Sequence, residues 1–132
     1  MSAELHRTIR TEMDASRSVL EATLYAREAG FDETTSRIIA TAVSELVRNI
    51  LKYASSGEIR LRGAKEIGRR GIEIEAIDRG PGIADCEAAM SDHFSSGGTL
   101  GMGLPGVKRM MDDFSLESTL GEGTRVTARK WL

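Results

Sequence analysis

The sequence has very few of the residues that form cross-links or aromatic platforms. Its 132 residues include one cysteine, one tryptophan, two tyrosines and three phenylalanines. The lone Cys86 can form neither an internal disulfide nor, by itself, a zinc site, and this usage suits a reducing compartment. So few aromatic side chains argue against a protein that binds single-stranded nucleic acid by stacking on its bases.

A strong charge of one sign and long apolar segments are also missing. The chain has 18 basic and 20 acidic residues, a net charge of −2. General nucleic-acid binders carry a basic excess, so no nucleic-acid partner is expected. No apolar run approaches the roughly 20 residues that span a bilayer. The opening MSAELHRTIR also lacks the apolar segment of a signal peptide. We therefore expect a cytoplasmic protein with no membrane segment, folded as a single domain over 1–132.

The 14 glycines are crowded into the later part of the chain, because only Gly30 precedes residue 57. Two helices are predicted before that point. Asp14 can cap one that runs to residue 29, with Gly30 just beyond its end, and Asp32 can cap a second over 33–54. The apolar residues of the second helix recur at spacings typical of one buried stripe, at Ile39, Val43, Leu46 and Ile50.

Strands are predicted where the apolar period changes to two. Alternation over 5–9 indicates a first strand, and alternation near residues 59–61 and 72–77 indicates a hairpin across the polar link 65–70. The remaining predictions are a short helix at 85–90, a loop at 91–104, a helix at 105–113, and two strands around Leu116 and Val126. This order predicts an α+β fold: a two-layer sandwich with helices packed on one face of a mixed, mostly antiparallel sheet.

Two familiar glycine motifs are not supported by the sequence around these glycines. Gly101, Gly103 and Gly106 satisfy G-x-G-x-x-G, but a dinucleotide site needs a strand directly before the motif, and the serine- and glycine-rich segment 95–99 precedes it. A P-loop needs a lysine directly after its second glycine, whereas Val107 follows here. Neither motif therefore predicts the function.

Three separate segments could instead form one site. Glu45 and Asn49 are four residues apart on the second predicted helix and so project from one face. An Asn carbonyl can join an Mg²⁺ shell completed by phosphates, and a Glu one turn away could accept a proton. Taken alone, this pair could equally be an exposed polar face.

The other two segments are rich in glycine. Asp78 ends a predicted strand before Gly80 and Gly82, where its acceptor-only carboxylate could bind an adenine amine and the glycines would admit a flat base. The glycines from Gly97 to Gly103 precede a helix, whose N–H groups could bind phosphates. A capped turn and a flexible loop are the plainer interpretations.

Together these segments resemble the GHKL nucleotide-binding superfamily. Glu45–Asn49 resembles its N box, Asp78–Gly82 its G1 box, and Gly101-Met102-Gly103-Leu104 its G2 box. The segment that ends in Thr124 resembles the late Gly-Thr element beside the adenine-binding Asp. The resemblance spans roughly residues 33–131 and is greatest with the stressosome switch kinases of bacilli and their relatives.

The resemblance implies an ATP- and Mg²⁺-dependent protein serine/threonine kinase of a partner-switching pathway. Its substrates would be small STAS-domain antagonist proteins, and the freed kinase would activate a PP2C-type phosphatase; a homodimer is an alternative to a monomer. By that resemblance Glu45 is the catalytic base and Asn49 the metal ligand. The nucleotide would be bound by Asn49, Asp78, Gly80, Gly82, Gly101, Met102, Gly103, Leu104 and Thr124.

One departure from the family pattern keeps alternatives open. Related anti-sigma kinases carry a lid arginine just before the G2 glycines, and this chain has Thr99-Leu100 there. Lys108, Arg48 or a partner group could supply the missing cation, since phosphoryl transfer depends on charge stabilisation. The alternatives are a histidine kinase-like catalytic domain and a regulator that binds ATP and partners without chemistry.

Overall fold

The computed structural model describes residues 3–83, 90 and 103–132. In chain order its elements are β1 (Leu5–Ile9), α1 (Glu12–Glu28), α2 (Glu33–Tyr53), β2 (Gly57–Glu66), β3 (Arg69–Asp78), α3 (Gly103–Met110), β4 (Asp113–Thr119) and β5 (Gly123–Trp131). None of the helices among these described residues has the length and apolar character needed to cross a membrane.

The five strands form one sheet in the order β1-β2-β3-β5-β4, and each neighbouring pair of these strands is antiparallel. The predicted hairpin is formed by β2 and β3, whose last pair is Glu66 with Arg69. Only Ile67 and Gly68 remain for the turn, and Gly68 has a φ of +80° that favours glycine. The predicted α+β fold is confirmed, and the sheet is antiparallel throughout its described part.

The two faces of the sheet differ completely in character because successive side chains of a strand point to opposite faces. Ile59 and Leu61 of β2 and Ile72 and Ile74 of β3 are fully buried and belong to the core. The apolar stripe of α2, which includes the buried Val43, packs in the same core. The helices therefore cover one face of the sheet.

The opposite face of the sheet carries ion pairs between neighbouring strands. Glu73 of β3 accepts hydrogen bonds from Arg62 of β2 at 2.6 Å and from Arg129 of β5 at 2.9 Å. Burial raises the pKa of the Glu73 carboxyl, but the two guanidinium groups outweigh it and the pKa lies below its ordinary value. Glu75 is likewise held between arginines of β2 and β5.

The start of α1 corrects one prediction. Thr11, not Asp14, is the N-cap: its hydroxyl accepts a bond from the Asp14 N–H at 3.1 Å, and the Asp14 carboxylate accepts one from the Thr11 N–H at 3.1 Å. This reciprocal capping box makes Asp14 the third helical residue. The predicted cap of α2 is confirmed, because Asp32 accepts a bond from the Thr35 N–H at 2.7 Å.

The bounds of the last helix also differ from the prediction. α3 starts at Gly103 rather than at Pro105 and ends at Met110, while Asp113 already begins β4. Most of the helix expected at 85–90 and most of the loop expected at 91–104 lie outside the described residues.

Candidate functional site

A row of polar positions crosses the end of the helix-covered sheet face. The strand register places Asp78 of β3 opposite Gly57 on one side and Thr124 of β5 on the other, and Thr124 lies opposite Ser118 of β4. Directly opposite residues have Cβ atoms about 4.5–5.5 Å apart, so their side chains are neighbours. The next row inward, which includes Ala76 and the buried Val126, is apolar. The polar row thus borders the core at one edge of the sheet.

The turn after Asp78 has little space for side chains. The Asp78 Oδ1 atom accepts a hydrogen bond from the Gly80 N–H at 2.9 Å, which fixes the carboxylate against its own turn. A Cβ at Gly80 would lie 2.6 Å from the Cβ of Ala54, at the end of α2. At Gly82, with a φ of +78°, a Cβ would lie 2.4 Å from the carbonyl oxygen of Thr119. Both predicted glycines are therefore required by close backbone packing.

Ser118 connects the parts of this edge and was not predicted. Its hydroxyl accepts a hydrogen bond from the Ile83 N–H at 2.6 Å, donates one to the Gly123 carbonyl at 3.1 Å, and lies 2.9 Å from the Thr124 hydroxyl. It therefore links the segment after Gly82 to the start of β5. Inward alternation from Leu116 and pairing with Thr124 across the turn could have identified it.

Glu45 lies in the interior between two helices. It projects from α2, is 5% exposed, and accepts a bond at Oε2 from the Gly103 N–H at 3.0 Å. Its Oε1 atom accepts a bond from the Arg48 guanidinium at 3.1 Å. A buried carboxylate needs such partners. Because a carboxylate offers about four acceptor positions, it can still receive a further proton.

Asn49 lies one helical turn beyond Glu45 and is partly exposed. Within the described part of the chain its side-chain amide has no hydrogen-bond partner. The same part contains no cluster of three or more His, Cys, Asp or Glu residues placed to hold a metal ion. These residues fit Mg²⁺ only if phosphate oxygens complete its coordination, as is usual for this ion.

Of the other predicted residues, some lie outside the described part of the chain and two lie at the start of α3. Gly101, Met102, Gly97 and Gly98 lie outside the described residues, so their roles stay predictions. Gly103 begins α3 and bonds Glu45, whereas the Leu104 side chain is only 9% exposed and packs in the core. That burial leaves the Leu104 backbone to contact a ligand.

The two cations proposed for the missing lid arginine differ in their surroundings. Arg48 is bound to Glu45 but its side chain remains 48% exposed. Lys108 lies on the exposed side of α3. Of the two, Arg48 is the one that contacts a predicted catalytic residue.

Comparison with known proteins gives consistent results. A family model described as a histidine kinase-like ATPase domain matches residues 9–130. The serine/threonine-protein kinase RsbT of Bacillus subtilis (strain 168) is 51% identical over 107 residues, which cover 81% of this chain and 80% of that protein. The anti-sigma F factor of Thermoanaerobacter sp. (strain X514) is 37% identical over 110 residues, with coverages of 79% and 77%.

A solved structure shares the fold. The histidine kinase domain from the Erythrobacter litoralis EL346 blue-light activated histidine kinase matches with a TM-score of 0.55 and 19% sequence identity. The match covers 89% of this chain but only 59% of the solved chain. At this identity the likeness supports the arrangement of helices and strands and nothing about activity.

Proposed function

The chain belongs to the histidine kinase-like ATPase family and is a serine/threonine-protein kinase, and from this premise we propose that it is the switch kinase of a partner-switching pathway. Its acceptors are STAS-domain proteins, and in its free form it activates a PP2C-type phosphatase. We place it in the cytoplasm. The observation that carries the proposal is the buried Glu45 carboxylate, held by Arg48 and Gly103 one turn from Asn49.

The sheet edge binds the adenine base. Asp78, with one oxygen fixed by the Gly80 N–H, offers its other oxygen to the exocyclic amine, for which an acceptor-only group is the matching partner. Thr124 lies directly across from Asp78 and offers a second polar atom. The rest of the nucleotide-binding segment is formed by Gly82, Gly101 and Met102. Gly103 and Leu104 contribute main-chain groups toward the phosphates.

The α2 residues carry out proton transfer and metal binding. The acceptor Ser or Thr hydroxyl gives its proton to Glu45 while its oxygen bonds to the γ-phosphorus and the bond to the β-phosphate oxygen breaks, which releases ADP. Asn49 would hold Mg²⁺ through its amide oxygen, and the bound ion would supply positive charge beside the phosphates. Arg48 keeps the Glu45 carboxylate in place and is available for the phosphate charge.

Exposed apolar side chains on α1 support a protein acceptor rather than a small molecule. On α1 the side chains of Met13, Leu20 and Leu24 are 50–69% exposed and lie seven and four residues apart, so they form one apolar stripe. Elsewhere on α1, a groove of about 330 Å³ between α1 and α2 includes Arg48 in its lining. Exposed apolar stripes of this kind mark protein-interaction surfaces.

The experiment incubates the full chain with γ-labelled ATP, Mg²⁺ and a purified STAS-domain protein. We expect label on the STAS protein, in an acid-stable form because phosphoserine and phosphothreonine survive acid. EDTA or the change Asn49→Ala should abolish it. Acid-labile label would favour the histidine kinase alternative, and ATP-dependent binding without transfer would favour the non-catalytic regulator. Adding the chain to a PP2C-type phosphatase tests the second activity.

A further inference from the structure

We propose that Ser118 is a positioning residue that sets the direction of the Thr124 hydroxyl, so that the base pocket favours a purine with a 6-amino group over a 6-oxo purine. This inference rests on the proposed function, because it assumes that Thr124 and Asp78 face the base. It assigns Ser118 a role in choosing the nucleotide as well as in joining two segments.

The argument begins with the hydrogen-bonding capacity of Ser118. A hydroxyl has one proton to donate and two lone pairs that accept. The Gly123 carbonyl can only accept, so the 3.1 Å bond to it uses the Ser118 proton. The Ile83 N–H can only donate, so its 2.6 Å bond uses one lone pair. A single lone pair remains for the contact with Thr124.

That remaining lone pair decides the direction of the Thr124 hydroxyl. The two hydroxyl oxygens are 2.9 Å apart, a distance at which one must donate to the other. Since the Ser118 proton is already used by Gly123, Thr124 must be the donor. Its own proton therefore points toward β4, and no donor from another described residue occupies its lone pairs.

These lone pairs lie beside a second acceptor. Asp78 is the direct cross-strand partner of Thr124 on the same sheet face, and its carboxylate also offers only lone pairs. The edge of the pocket therefore presents two neighbouring acceptors and no competing side-chain donor from this pair. The 6-amino group of adenine has two protons to donate to these acceptors, whereas hypoxanthine has one donor on this edge, its N1–H, and a 6-oxo oxygen that faces an acceptor unfavourably.

Binding of ATP and of inosine triphosphate (ITP) to the full chain tests the proposal, because their bases differ only along one edge: adenine has a 6-amino group and an unprotonated N1, whereas hypoxanthine has a 6-oxo group and a protonated N1. We expect the wild type to prefer ATP. In Ser118→Ala the Thr124 proton is released and can turn toward the base, so the preference should fall by about three- to tenfold, the value of one hydrogen bond. Calorimetric titration with Mg²⁺ present measures both affinities without requiring phosphate transfer.

Two further variants separate positioning from simple loss of structure. Thr124→Val keeps the shape but removes the acceptor, and should also reduce the preference for ATP. If Ser118 acts through Thr124, adding Ser118→Ala to Thr124→Val should change the preference no further. Ser115→Ala is the matched control, since Ser115 lies on the same strand but is exposed on the opposite face, and it should behave as wild type.

The outcomes are distinguishable. A Ser118→Ala protein whose affinities for ATP and ITP fall equally, with their ratio unchanged, has lost only structural support, and this result overturns the inference. Equal binding of both nucleotides by the wild type also overturns it while leaving the kinase proposal standing. Binding of neither nucleotide overturns the proposed function and this inference together.

Discussion

Replacing Glu45 by glutamine is the sharpest test of the proposed chemistry, because the change keeps the shape and removes the charge. The carboxylate now accepts bonds from the Gly103 N–H at 3.0 Å and from Arg48 at 3.1 Å. A glutamine amide has only one oxygen. If that oxygen serves Gly103, the NH₂ group faces the Arg48 guanidinium, and two donors then oppose each other.

The cost to stability follows from these contacts. Hydrogen bonds to a charged group contribute about 1.5–3 kcal/mol, and the half-exposed Arg48 places the loss near the lower figure because solvent screens it. With an unfolding entropy of about 2.1 cal/mol/K per residue, a chain of this length loses about 5 °C in Tm for about 1.5 kcal/mol. The Glu45→Gln protein should therefore remain folded at 25 °C.

The effect on catalysis should be much larger than the effect on stability. A positioned general base contributes about 10²–10⁴-fold to the rate, so phosphate transfer should fall at least about 100-fold while ATP affinity changes little. Rates of label transfer to a STAS-domain protein, calorimetric ATP affinities and thermal unfolding give the three readouts. Glu28→Gln, on the exposed end of α1, is the matched control.

Two results would refute this reasoning. Transfer by Glu45→Gln within about threefold of the wild type would exclude Glu45 as the proton acceptor, because loss of the base must cost far more. A loss of ATP affinity as large as the loss of transfer would place Glu45 in nucleotide binding instead, through its bond to Gly103.

Four further predictions concern the fold. Gly123→Ala should lower the free energy of unfolding by about 3 kcal/mol and abolish ATP binding, since the new Cβ would lie 2.1 Å from the Asp78 carbonyl oxygen at a φ of +132°. Gly121→Ala, with open space around it, should cost only about 1 kcal/mol in urea unfolding. Folding lowers the pKa of Glu73, so the ionised carboxylate stabilises the folded state above the ordinary carboxyl pKa, and this stabilisation disappears as the pH falls through the lowered pKa. The urea midpoint of the wild type should therefore fall more steeply in acid than the midpoint of Glu73→Gln. Ile74→Ala should cost about 2–5 kcal/mol in thermal unfolding, because the side chain is fully buried.

Most of the fold could be predicted because helix caps and apolar periodicity depend on interactions between residues that are close in the sequence. The cap at Asp32 and the apolar stripe of α2 fixed that helix to within one residue of its end. The error at Asp14 arose from the same local physics: Thr11 and Asp14 are both good caps, and only their reciprocal bonds show which residue begins the helix.

The candidate site was predicted less completely because its contacts join distant parts of the chain. Glu45 and Gly103 are 58 residues apart, and the bond between them depends on how α3 docks against α2. Ser118 meets Ile83 across 35 residues. Sequence periodicity carries no information about such pairs, so it identified the residue types at Glu45 and Asp78 but not what holds them.

The register of β3 explains why the sheet face that Asp78 occupies was nevertheless predictable. Side chains alternate along the strand, so Ile74 and Asp78, four residues apart, must share a face, while Glu73 and Glu75 take the other. A slip of one residue would bury the glutamates under the helices and turn Asp78 toward the ion-pair face. The burial of Ile74 and the ion pairs of Glu73 therefore resist the slip from opposite faces, and the forces that stabilise the sheet also place the Asp78 carboxylate beside Thr124.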